Sequence, residues 1–158
     1  MSEFIKIEYH RVDADALAKD EQELLTAALA ASEKAYAPYS RFRVGCALGM
    51  EEGEHVLANN QENAAYPSGM CAERVALYHA GAMGINKGIR KIAVRGDSMD
   101  KLISQPVTPC GACRQAMLEY ERMAGTDFIV LMQGKTGQVL RVKGVARSLI
   151  PFGFDIDF

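Results

Sequence analysis

The sequence predicts an α/β fold, a layered sheet covered by helices, and three observations carry that prediction. Apolar patterns of strand and helix type alternate along the chain, the arrangement expected when helices cover a sheet. The last two strand patterns are separated only by residues 133–137, too few for a parallel crossover, so that pair is antiparallel. With 158 residues, 49% of them hydrophobic, and no linker rich in Pro, Gly or Ser, the chain can fill one well-packed core.

In chain order, residues 4–12 alternate, with Ile5, Ile7 and Tyr9 on one side and Lys6, Glu8 and His10 on the other. That pattern predicts a short strand within an N-terminal extension, residues 1–19, ahead of a domain over 20–158. Between 20 and 36, Leu25, Ala28, Leu29 and Tyr36 share one face of an amphipathic helix that must end before Pro38. Strands at 42–50 and 55–60 flank the charged turn Glu51-Glu52-Gly53-Glu54 and form a hairpin. Within the first of them Cys46 reads as a small core residue. A helix over 71–82, a strand over 89–95 and a second helix over 110–123 follow. Thr108 suits the cap of that second helix and Pro109 its first position, where no N–H is needed. The strands at 128–132 and 138–142 close the sheet.

Charge and composition narrow the function. A net charge of −2 gives no general attraction for a phosphate backbone, which argues against nucleic acid and for a small neutral substrate. Lys87, Arg90, Lys91 and Arg95 form a loose basic cluster without interleaved aromatics, the pattern of a solvated face. The first residues lack the apolar core of a signal peptide and no apolar run could span a bilayer, so a cytoplasmic protein with no membrane partner is expected. In that reducing compartment four cysteines favour thiolates and metal over two disulfides. His10, His55 and His79 have no partner at ligand spacing and read as surface or satisfied histidines rather than zinc ligands.

The chemistry centres on cysteine. Cys110 and Cys113, three residues apart at the start of a helix, share one face, and Cys71 opens another helical pattern with Glu73 two residues later. Three thiolates leave the fourth position of a zinc ion open, which is catalytic rather than structural coordination. Their combined charge exceeds that of Zn²⁺, and the two helix N-termini together with Arg74 supply the compensation. A CxxC pair alone would equally suit a redox or closed structural site; Cys71 and Glu73 argue against both.

Five ordered blocks extend this reading: Tyr36-Ala37-Pro38-Tyr39-Ser40-Arg41-Phe42, Asn60-Gln61-Glu62-Asn63-Ala64-Ala65-Tyr66, Cys71-Ala72-Glu73-Arg74, Pro109-Cys110-Gly111-Ala112-Cys113-Arg114-Gln115 and Leu149-Ile150-Pro151-Phe152-Gly153-Phe154. In these blocks the chain resembles the cytidine deaminases, specifically the small homotetrameric class that holds zinc with three cysteines. The resemblance implies a three-layer α/β/α sandwich around a mixed five-stranded core sheet, with the last two strands antiparallel. It implies hydrolytic deamination of cytidine and 2′-deoxycytidine in pyrimidine salvage, with Zn²⁺ on Cys71, Cys110 and Cys113 and Glu73 acting as base and then acid. By the same resemblance Asn60 and Glu62 bind the ribose hydroxyls, Phe42 stacks on the base, and the Ala72 N–H meets the pyrimidine carbonyl. Ala64, Tyr66 and Phe154 match positions that reach a neighbouring site in the homotetramer. The short last hairpin resembles the free-nucleoside class, and the Asn-x-Glu-Asn pattern differs from blasticidin deaminases. Three departures stand out: Pro67-Ser68-Gly69-Met70 fills a variable loop, Gln61 takes a usually apolar slot, and the N-terminal strand is additional. Two alternatives stay open: a deaminase of another aminated heterocycle or polynucleotide base, and a zinc or redox module without catalysis.

Overall fold

The computed structural model describes residues 2–154. Its centre is a six-stranded mixed sheet of β1 (His10–Val12), β2 (Phe42–Met50), β3 (His55–Asn59), β4 (Ile89–Ser98), β5 (Ile129–Gln133) and β6 (Val139–Lys143), in spatial order β1-β6-β5-β4-β2-β3. Only β4 and β5 run parallel; the other neighbours, including the closing pair β5 and β6, are antiparallel as expected. Helix α1 (Lys19–Ser32) covers one face. Helices α2 (Ala72–Ala82), α3 (Gly111–Ala124) and α4 (Val145–Ser148) cover the other.

Strand alternation sorts the core into two layers. Ala47, Ala93 and Leu131 meet Leu24, Leu25 and Ala28 of α1. From the opposite side of the same strands, Cys46, Leu48, Ile92, Val94, Val130 and Met132 meet Ala76, Leu77 and Met117 of α2 and α3. Cys46 is fully buried, the core residue its neighbours predicted. Gly45 lets α1 cross close above β2: a Cβ there would lie 1.8 Å from the Ala28 carbonyl oxygen.

Four expectations need correction. The sheet has six strands rather than five, because β1 pairs with the free edge of β6. The N-terminal strand covers only His10–Val12, since β6 is five residues long and offers little edge beyond the His10–Arg141 pair; Ile5, Ile7 and Tyr9 are exposed. Helix α1 stops at Ser32, so Tyr36 leaves its apolar face, bridges to Gln61 and is half exposed. Helix α3 starts at Gly111 with Cys110, not Thr108, in the cap position, and no side chain caps it. Beyond the Gly144 turn the four-residue α4 was not foreseen, being too short to show a period.

Candidate metal centre

The parallel pair β4 and β5 is joined through α3, whose first turn faces that of α2. Cys71 occupies the N-cap position of α2, Cys110 that of α3, and Cys113 sits in the first turn of α3. The Cys71 and Cys110 sulfurs are 4.0 Å apart and those of Cys110 and Cys113 3.5 Å; all three lie within 4.8 Å of one another. Tetrahedral bonds of roughly 2.3 Å would hold sulfurs about 3.8 Å apart, so the spacing fits zinc without rearrangement. Among the described residues no fourth histidine, cysteine or carboxylate joins this group. Cys113 is buried, Cys71 partly buried and Cys110 exposed, so the trio opens toward solvent on one side.

The surroundings favour negative sulfur at Cys71. Hydrogen bonding from the Cys113 thiol, followed by Arg74, outweighs burial and draws the Cys71 thiol down to about 5. Arg74 Nη2 donates to Cys71 Sγ at 3.7 Å, and its own guanidinium is held above its usual range by that contact. The Cys113 thiol is pushed up, first by its bond to Cys71 and then by burial. Glu73, on the first turn of α2, is only 4% exposed; burial raises its carboxyl, and negative charge on Cys71 adds to the effect. A carboxyl that holds a proton more readily than usual thus stands beside three metal-binding sulfurs.

A cleft of about 420 Å³ runs from Cys71 and Arg74 past Met70 to Asn60, Glu62 and Tyr66. Two of its polar groups are already engaged. Glu62 Oε2 accepts from the Tyr39 and Ser40 amides at 2.9 and 3.2 Å; burial opposes ionisation, but the hydrogen bonds from Ser40 and Tyr39 together outweigh it and the carboxyl lies below its usual range. Asn60 lies just past the end of β3 and spans the start of β2, accepting from Val44 N–H at 2.8 Å and donating to the Phe42 carbonyl at 3.0 Å. Of the other residues singled out from the sequence, Phe42 begins β2 and is half-buried, Ala72 is buried as the first residue of α2, and Ala64 is exposed. Tyr66 is 78% exposed and packs edge-on against Tyr39, ring centres 6.4 Å apart. Phe154 is 70% exposed and does not line the cleft of its own chain.

Sequence reasoning gave Tyr39 and Ser40 no role, although their backbone fixes Glu62. The Pro38-Tyr39-Ser40 run just before β2 was the available signal, because a proline-led turn leaves amides free for a carboxylate. The basic cluster is dispersed: Arg90 pairs with Glu51, Lys91 with Asp20, and Arg95 is buried with its guanidinium on the Lys135 carbonyl. His10, His55 and His79 are all exposed.

An α/β sheet that presents three clustered cysteine sulfurs and a buried glutamate at two converging helix ends has the donor set of a catalytic zinc site. Sequence comparison makes the class particular. The model of the cytidine and deoxycytidylate deaminase zinc-binding region matches residues 18–126. A cytidine deaminase of Halalkalibacterium halodurans is 47% identical over 135 residues, covering 85% of this chain and 94% of that one. Among solved structures, the cytidine deaminase of Burkholderia pseudomallei superposes with a TM-score of 0.72 at 41% identity, covering 84% of this chain and 97% of that one. The Mycobacterium tuberculosis cytidine deaminase does so at 0.64 and 27%, covering 88% and 100%. The chain belongs to the cytidine and deoxycytidylate deaminase family of zinc enzymes, which sets a non-catalytic zinc module aside. No helix among the described residues is long and apolar enough to cross a membrane.

Proposed function

We propose that the protein deaminates cytidine and 2′-deoxycytidine hydrolytically to uridine and 2′-deoxyuridine, releasing ammonia, as a cytoplasmic homotetramer in pyrimidine salvage. The observation that carries this reading is the buried Glu73 carboxyl beside the clustered Cys71, Cys110 and Cys113 sulfurs, of which Cys71 lines a cleft of nucleoside size. Residues 20–158 form the deaminase domain, to which 1–19 adds an extension.

Cys71, Cys110 and Cys113 would hold zinc, which would supply an activated water as nucleophile near neutral pH. Glu73 takes a proton from the attacking water and passes it to pyrimidine N3; it then takes the remaining proton from the oxygen added at C4 and gives it to the amine, which leaves as ammonia while that oxygen becomes the carbonyl. The raised carboxyl suits that cycle, since the residue must hold the proton as easily as release it. Arg74 balances the sulfur charge through Cys71. Ala72 offers its N–H to the pyrimidine carbonyl, and Phe42 stacks on the base.

At the mouth of the cleft, Glu62 is fixed by Tyr39 and Ser40 and keeps Oε1 for a ribose hydroxyl. Asn60 has a second Nδ2 hydrogen for the same sugar. An analogue lacking those hydroxyls would leave these groups unpaired and react poorly. Ala64, Tyr66 and Phe154, exposed in the single chain, reach a neighbouring subunit's site.

Loss of the 4-amino group changes the pyrimidine chromophore, so ultraviolet absorbance tests the assignment. Cytidine and 2′-deoxycytidine should be converted, while cytosine base and single-stranded DNA should not. Preferential turnover of another aminated heterocycle would reassign the substrate and keep the metal chemistry.

A further inference from the structure

The helix that carries Cys110 and Cys113 also holds the end of the described chain. Gln115 pairs its side-chain amide with both backbone groups of Phe154: Nε2 donates to the Phe154 carbonyl at 2.8 Å, and Oε1 accepts from the Phe154 N–H at 2.9 Å. Its neighbour Arg114 donates to the Leu149 carbonyl at 3.2 Å and, through Nε, to the Pro109 carbonyl at 2.9 Å just ahead of the metal helix. One turn further along α3, Leu118 packs against Gly153 so closely that a Cβ there would lie 2.3 Å from Leu118 Cδ2. Three successive contacts thus lay residues 149–154 along α3.

What the clasp leaves free is informative. Both backbone groups of Phe154 are engaged, yet its ring is 70% exposed, as is most of Phe152. A tail secured only for stability would bury its aromatic surface, since burial of the ring is its main gain. Here the backbone is pinned and the ring is presented outward.

We propose that Gln115 is a positioning residue for the deamination: by clasping the Phe154 backbone it fixes where that ring stands relative to the Cys110 and Cys113 pair on the same helix. This rests on the reading above that Phe154 reaches a neighbouring subunit's nucleoside. One helix then sets both the metal sulfurs of its own site and the aromatic wall lent to the next. A side-chain amide suits the task because it matches a peptide's donor and acceptor together, which a carboxylate or an alkyl group cannot do.

The test is a double-mutant cycle on the full-length, zinc-loaded protein, measuring kcat and KM for cytidine in the parent, Gln115→Leu, Phe154→Ala and the double variant. Loss of two hydrogen bonds should raise KM roughly tenfold in Gln115→Leu with kcat little changed, as for an interaction made equally in ground and transition states. The double variant should be no worse than Phe154→Ala alone, zinc content should stay at the parent level, and the Phe154 amide should exchange faster in Gln115→Leu. An impaired Phe154→Ala with a kinetically normal Gln115→Leu overturns the clasp while leaving the shared-site reading intact. A normal Phe154→Ala overturns the shared-site reading and the positioning role with it. Additive losses, or zinc loss in step with activity, place Gln115 elsewhere and overturn the proposal.

Discussion

Arg74 touches the metal centre by donating to Cys71, and that contact separates charge balance from ligation. Arg74→Gln keeps a donor but removes the positive charge, so zinc retention should fall by about 10- to 100-fold while the fold persists; competition with a chelator reads this, and unchanged retention would remove Arg74 from the site. Glu62 offers a titration with a definite sign. Burial opposes ionisation, yet its folded-state carboxyl lies below the unfolded value because hydrogen bonds from Ser40 and from the Tyr39 amide together bind the charged form. The contact therefore contributes fully above the unfolded value and is lost as pH falls through the lower folded value. Carbon-detected NMR of the Glu62 carboxyl should give a midpoint below that of a free glutamate; a midpoint at or above it would contradict the two-amide cradle. Residue-scale legibility was uneven. The three-cysteine cluster was readable because CxxC spacing and helix periodicity are local, whereas the Asn60 side chain is engaged with Val44 and Phe42, 16 and 18 residues away, a pairing that no local pattern encodes.

Among the elements, α3 carries most of the linkage. Its buried Glu121 accepts from the Phe128, Val145 and Ala146 amides, joining the start of β5 to the first turn of α4. Glu121→Ala would strand three amides in or near the core and should cost about 3 kcal/mol in urea denaturation; a loss within experimental error would show that water replaces the carboxylate. Gly45 makes a second prediction at this scale. A Cβ at this position would stand 1.8 Å from the Ala28 carbonyl oxygen, so Gly45→Ala must lift α1 from the sheet, lowering stability by about 2 kcal/mol or more. An unchanged midpoint would mean that α1 floats on the sheet. Long apolar patterns were legible as elements, and their ends were not. Helix α1 ends four residues before Tyr36 because the chain turns to bridge Gln61, and β1 shrinks to three residues because its partner is short.

For the whole molecule, the alternating pattern and the short last hairpin were enough to specify a layered α/β sheet with an antiparallel closing pair, while helices on both faces of a mixed sheet followed from the family resemblance. The sixth strand was visible only as an isolated alternation, since its partner β6 lies more than 120 residues along the chain. The cleft is assembled from segments before β2, after β3 and at the head of α2, and the sequence shows these as separate blocks without their mutual distances. The proposed reaction divides the labour: the Cys71, Cys110 and Cys113 sulfurs would hold the metal, and the buried Glu73 carboxyl beside them would move the proton. Glu73→Gln preserves shape and hydrogen bonding but cannot cycle a proton, so the most direct test is cytidine turnover by this variant with zinc content measured on the same sample. The account predicts zinc at the parent level and turnover reduced by roughly 10²- to 10⁴-fold, the range of acid–base catalysis. Parent-like turnover in a zinc-loaded Glu73→Gln protein would contradict it.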